Sequence, residues 1–271
     1  MSTARRRECP LDDQLVRYQA GNDGVATVTL DHPETRNALS DELLDQLLGA
    51  LEAAKHDDAV RVVVLTSSHE RVFSSGGNLK AFADDRPVID KYAGLDRFPR
   101  IYQAMGALGK PVLCAANGDV LAGAFGLALA CDLIIAKDSV RFGCPEINVG
   151  AFPFMISALI YRNIGRMKSN ELMFLGDTIT AEEARDLGVV NKVVLAEEFD
   201  EAVRSWATRL AAKSPLLIKL GKNAIDATRD FGLSDALDYL QGQLALAFTT
   251  EDLVEGVTAF RERRDPVWKM R

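Results

Sequence analysis

Val112-Leu113-Cys114-Ala115-Ala116, Gly123-Ala124-Phe125-Gly126-Leu127-Ala128-Leu129-Ala130-Cys131 and Leu133-Ile134-Ile135-Ala136 follow one another along the chain, separated only by 117–122 and Asp132. The outer two are short apolar runs, as expected of strands covered on both faces. The middle run is small and apolar all round, which suits a helix sunk in the core. Strand, helix and strand in this order make the chain α/β.

The same pattern extends outward. Residues 60–65 form another buried-strand run. Residues 15–19 and 25–30 alternate around Gly21-Asn22-Asp23-Gly24 and read as a hairpin. Residues 40–55 carry apolar positions at helical spacing, with Ser40 as N-cap and Glu42 in the first turn. From Glu197 the signal turns almost purely helical, over 197–213, 216–228, 234–248 and 252–264, punctuated by Pro215, Gly232 and Thr249-Thr250. The chain therefore divides into an α/β region over 14–196 and a helical region over 197–271. A helical tail without its own core packs on the main body or on a neighbouring subunit.

The 271 residues are 48% apolar and 26% charged, with a net charge of −7. That is enough chain to bury a core without metal or disulfide support. The acidic balance argues against nucleic acid as a partner, because phosphate binding draws on clustered Lys and Arg. Cys9, Cys114, Cys131 and Cys144 have no metal-type spacing, and the three histidines are scattered, so no metal site is expected. No apolar run is long enough for membrane insertion, and Met1 to Asp13 has no apolar stretch of the secretory kind. Reduced thiols and a cytoplasmic location follow as expectations.

Three segments could carry chemistry. Phe73-Ser74-Ser75-Gly76-Gly77-Asn78-Leu79-Lys80 follows a buried strand; its paired glycines let backbone amides approach a ligand, or simply form a turn with Asn78 as N-cap. Asn117-Gly118 leads to Gly123, whose amide at the start of the buried helix suits a developing oxyanion, although small residues there also serve close packing. Pro145-Glu146 could open a short helix. A carboxylate beside the apolar residues that follow would, if buried, have a raised pKa suited to proton transfer.

The order of these segments resembles the crotonase family, the enoyl-CoA hydratases and isomerases. Arg36-Asn37-Ala38-Leu39 matches its RNAL segment, and Ser75-Gly76-Gly77-Asn78 its [SA]G[AG]D loop. Lys110-Pro111-Val112, Asn117-Gly118, Gly123 and Cys131-Asp132 match its KPVIAAVNG…GGG…CD stretch. Phe142-Gly143, Pro145-Glu146 and Gly150 match FGxPE…G, and Leu175-Gly176-Asp177 through Leu187-Gly188-Val189-Val190 match its LTG…AxEA…GLV stretch. The similarity runs from about Val25 to Trp268.

The resemblance implies a spiral of ββα units with a C-terminal helical region, assembled as homotrimer or homohexamer. It implies an acyl-CoA substrate, with coenzyme A entering as part of that substrate and no separate cofactor. Amides of Gly77 and Gly123 would form the oxyanion hole, and Glu146 would move protons. Arg36, Asn37 and Ala38 would lie along the CoA adenine and ribose, with Lys80 near the nucleotide end. Phe260 and Arg263 of the last helix would reach a neighbour's CoA.

The chain also departs from the pattern. Two-acid hydratases carry a first glutamate where this chain has Gly126, and a Gly-rich stretch where it has Pro153-Phe154-Met155-Ile156-Ser157. Phe154 or Met155 is expected to crowd the Gly126 position. One carboxylate is compatible with hydration of a 2-enoyl-CoA, the commoner activity in the family, and with Δ3,Δ2 isomerisation. A non-catalytic CoA-binding scaffold and a serine peptidase of related fold, with Ser75 as nucleophile, are weaker alternatives. None of His32, His56 and His69 lies in a recognisable triad context.

Overall fold

The computed structural model describes residues 14–77 and 87–271. Asn78, Leu79, Lys80 and the first thirteen residues, Cys9 among them, lie outside the described residues.

Strands β1 (Val16–Ala20) and β2 (Val25–Leu30) form the expected antiparallel hairpin. Helix α1 (Asp41–His56) is capped by the Ser40 hydroxyl, which accepts from the Leu43 amide, and it buries Leu43, Leu44, Leu47 and Leu51. Strand β3 (Val62–Ser67) begins two residues later than its apolar run, because Val60 still belongs to the turn after α1 and its amide donates to the Asp57 carbonyl. There follow β4 (Val72–Ser74), α2 (Val88–Gly94), α3 (Arg97–Gly106), β5 (Val112–Ala116), β6 (Asp119–Leu121), α4 (Gly123–Leu129), β7 (Leu133–Lys137) and β8 (Arg141–Gly143). A 3-10 turn (Pro145–Val149) leads to α5 (Phe154–Asn163), α6 (Arg166–Leu175), β9 (Thr178–Thr180), α7 (Ala181–Asp186) and β10 (Lys192–Val194).

Two sheets share these strands. The larger has the order β1-β2-β3-β5-β7-β10 and is parallel apart from the first hairpin; the smaller has the order β4-β6-β8-β9. From β3 to β8 the chain places one strand in the large sheet, the next in the small one, then returns through a helix. This is the spiral of ββα units implied by the family resemblance. It also leaves β4, β6 and β8 as parallel neighbours.

The tail contains α8 (Phe199–Ala211), α9 (Pro215–Thr228), α10 (Leu233–Ala247) and α11 (Glu251–Glu262). Phe199, Ala202, Ala207 and Ala211 of α8 pack on Val62, Val64, Leu113, Ala115 and Ile135, closing one face of the large sheet. The other face lies under the main core, to which α1, α3 and α4 contribute Leu47, Ile101 and Phe125. Helix α10 is different: it buries no residue, and Leu233, Leu237 and Leu244 stand exposed. Asp252, at the start of α11, is fully buried; its carboxylate accepts from the Ser214 hydroxyl and from the amides of Lys269 and Met270. Buried charge is tolerated when its oxygens are satisfied in this way.

Candidate active site

The three chemistry-bearing segments all follow the C-terminal ends of the parallel strands in the small sheet. Gly76-Gly77 comes after β4, Ala122-Gly123 after β6, and Cys144-Pro145-Glu146 after β8. Ligand sites in α/β proteins favour this end of the strands. The Ala122 amide donates to the Gly143 carbonyl at 2.9 Å, fastening the second segment to the third.

The first two segments touch closely. Gly76 has φ +88, and a Cβ there would fall 2.3 Å from the Ala122 Cβ and 3.2 Å from the Gly123 nitrogen. Only glycine permits this approach. Ala122 itself sits at φ 54, ψ −129, a conformation that costs a non-glycine residue about 1–3 kcal/mol. The strained turn starts α4 at Gly123, as the sequence suggested. Among the described residues, neither the Gly77 nor the Gly123 amide has a backbone or side-chain acceptor.

Asn37 supports the first loop from below. It is fully buried, accepts from the His32 amide at 2.6 Å, and donates to the Ser67 hydroxyl at 2.7 Å and the Phe73 carbonyl at 3.1 Å. Its carbonyl accepts from the buried Ser74 hydroxyl. The Asn37 side chain is thus committed to the protein interior. Arg36, exposed and also at positive φ, accepts the Ser75 amide on its carbonyl, and Ala38 is half-buried beside it. Asn37→Ala is expected to cost about 3 kcal/mol by stranding buried partners, read as a lower denaturation midpoint.

Glu146 is half-buried on the 3-10 turn, and its Oε2 is shielded from solvent without a hydrogen-bond partner. Burial pushes its pKa above the ordinary carboxylate range, only partly offset by a hydrogen bond from its own backbone. Its charge and local burial push the neighbouring Cys144 thiol upward as well, with burial the larger cause. Cys114, Cys131 and Cys144 are free thiols.

The surroundings of Gly126 differ from expectation. A Cβ at Gly126 would lie 2.3 Å from the Tyr102 hydroxyl oxygen and 2.4 Å from Ile156 Cγ2. The crowding comes from these two, whereas Phe154 is 77% exposed. Tyr102 and Phe98, on α3, went unread in the sequence; Phe98 ring atoms lie 3.1 Å from where a Cβ on Gly123 would stand. The only signal was an apolar stripe Phe98, Ile101, Tyr102, Met105 at helical spacing, which reads as ordinary core.

Phe260 is 85% exposed and Arg263 caps α11 at φ 56, exposed to solvent, so neither is packed into this chain's own site. A broad groove of about 1040 Å³ between α3, α5 and α9 is bordered by Tyr102, Leu159, Lys222 and Arg229, but by neither free amide nor Glu146. The histidines are engaged locally: His69 Nδ1 accepts from the amides of Arg71 and Val72, His56 pairs with Glu52, and His32 with Thr35. No histidine bonds to Ser75 among the described residues, so nothing there would activate a serine nucleophile. No helix among them is long and apolar enough to cross a membrane.

Comparison with known proteins agrees with this fold. The 2,3-dehydroadipyl-CoA hydratase of Escherichia coli is 33% identical over 249 residues, covering 91% of this chain and 96% of that protein. A crystal structure of enoyl-CoA hydratase from Mycobacterium smegmatis superimposes with a TM-score of 0.91 at 29% identity, covering 94% of this chain and 99% of the other. Human enoyl Coenzyme A hydratase domain-containing protein 3 gives a TM-score of 0.90 at 26% identity, over 94% and 100%. The family described as enoyl-CoA hydratase/isomerase matches residues 20–271, and with the spiral fold and strand-end site in place the chain belongs to that family.

Proposed function

We propose that the protein hydrates a 2-enoyl-CoA, with one glutamate handling both proton transfers. The observation that carries this reading is the pair of free amides at Gly77 and Gly123 together with a half-buried Glu146 whose Oε2 is shielded from solvent and unpartnered, all at the same ends of adjacent parallel strands. The thioester carbonyl oxygen accepts from both amides, which stabilise it most as it gains negative charge. Glu146 takes a proton from water as the water oxygen bonds to the β-carbon. The π electrons move into the enolate, and Glu146 returns the proton to the α-carbon. The sum is one water across the double bond. CoA runs past Arg36 and Ala38, and Lys80, outside the described residues, is a further candidate contact to its nucleotide end. The Asn37 contribution is to hold that loop, since its side chain is spent inside.

Gly126 leaves a single carboxylate, which supports Δ3,Δ2 isomerisation as the second reading: Glu146 would move one proton between two carbons of the same chain. Both readings share the amide pair. Mixed with a short 2-enoyl-CoA, the protein is expected to consume the conjugated double bond. It should also exchange α-protons of a saturated acyl-CoA with deuterium oxide. Neither reaction occurring would sink both readings and favour a binding scaffold.

Assembly belongs to the same proposal. In the region 197–271, α8 covers the sheet, while α10 and α11 offer exposed Leu233, Leu237, Leu244 and Phe260. Contiguous exposed apolar faces mark interaction surfaces. A homotrimer or homohexamer is expected by light scattering, with Phe260 and Arg263 at a neighbour's CoA; a monomer at every concentration would refute it. The free thiols fit a reducing, cytoplasmic setting.

A further inference from the structure

Tyr102 places its hydroxyl where a side chain at position 126 would begin. Its hydroxyl oxygen lies 2.3 Å from the point a residue-126 Cβ would take, and it is shut off from solvent without a protein hydrogen-bond partner. Glu146 Oε2 is in the same condition, and the carboxylate is close enough for its charge to act on the phenol. Two polar atoms shut off from solvent without partners, one of them close enough for its charge to act on the other, each cost free energy unless a ligand oxygen satisfies them.

Resting on the hydratase reading above, we infer that the Tyr102 hydroxyl, beside Gly126, itself three residues along from the Gly123 amide, is the second hydrogen-bonding group for the oxygen added at the β-carbon. The attacking water donates one hydrogen to Glu146 and the other to the Tyr102 oxygen, which aims a water lone pair at the β-carbon. In the product the phenol O–H donates to the new β-hydroxyl. Tyr102 keeps its own proton throughout, so the proton balance stays with Glu146. Burial, and secondarily the Glu146 charge, hold the phenol protonated well above its ordinary range, so it is no base. Isomerisation and α-proton exchange involve no water oxygen and make no demand on Tyr102.

This separates Tyr102 from a packing residue. Tyr102→Phe is expected to lower kcat for hydration of a short 2-enoyl-CoA by roughly 10- to 100-fold, while α-proton exchange on a saturated acyl-CoA changes less than about twofold. The melting temperature should not fall, because the lost hydroxyl had no protein partner. Equal losses in hydration and exchange would show a packing role and overturn the inference, as would unchanged hydration. Placing 3-fluorotyrosine at position 102 gives a nearly isosteric second variant, in case the phenylalanine protein folds poorly. Its altered phenol should change the ratio of hydration to exchange, and an unchanged ratio counts against Tyr102. If the wild-type protein exchanges α-protons but hydrates no enoyl-CoA, it is the hydratase reading that fails, and that result is seen before any variant is made.

Discussion

Glu146→Gln is expected to lower turnover by about two to four orders of magnitude with little change in KM. The amide keeps the size of the side chain and one oxygen, and it leaves the Gly77 and Gly123 amides untouched, so thioester binding survives. What it removes is the proton acceptor. Stability should move the other way. Glu146 has a folded-state pKa raised by burial, so between its ordinary value and the folded value the native state binds more protons than the unfolded one. Stability therefore falls as pH rises through that window, and the cost is fully present once pH exceeds the folded value. Glu146→Gln removes it. The variant is expected to melt higher than wild type above the folded pKa of Glu146, with the advantage fading once both states are protonated in acid. In wild type, hydration should fall as acid protonates Glu146, at a pH above the ordinary carboxylate range. Wild-type turnover in the variant would end the proton-transfer role.

Gly126→Glu, which would supply a second acid in the position that two-acid hydratases use, is expected to fail as a single change. Its Cβ would meet the Tyr102 hydroxyl and Ile156 Cγ2 at distances no packed atoms adopt. Overpacking of this kind costs about 1–3 kcal/mol, and here it also displaces groups beside Glu146. A lower denaturation midpoint and reduced hydration should appear together. Combining it with Tyr102→Ala and Ile156→Ala clears both obstacles and should restore part of the stability. Full stability and activity in the single variant would mean that α3 gives way freely, against the contacts described.

Much of this was legible in the residues. The strands β5 and β7, the hairpin, α1 with its Ser40 cap and the start of α4 at Gly123 all follow from local patterns, because each is a long or strongly marked element. The small sheet was not. Its strands are three residues each, too short for alternation to register, and their pairing depends on the large sheet returning the chain to the same place. The roles of Asn37 and Tyr102 were hidden for the same reason. Asn37 lies next to Arg36 in a segment that resembles a ligand-contacting motif, yet its partners are at 32, 67 and 73. Tyr102 meets Gly126 only across two turns of the spiral, a contact that no spacing rule reports.

Three adjacent parallel strands ending at one edge also act as a ruler. Neighbouring strands in a sheet are about 4.8 Å apart, so the ends of β4, β6 and β8, from which the Gly77, Gly123 and Glu146 segments depart, are stepped sideways in increments of that size. On the function proposed above, a thioester carbonyl held by the segments after the first two strands has the segment that carries Glu146 one step further on. Carbon atoms far down a long acyl tail fall off the scale. Chain length can then vary among substrates, provided the tail has an exit, without moving the bond that reacts.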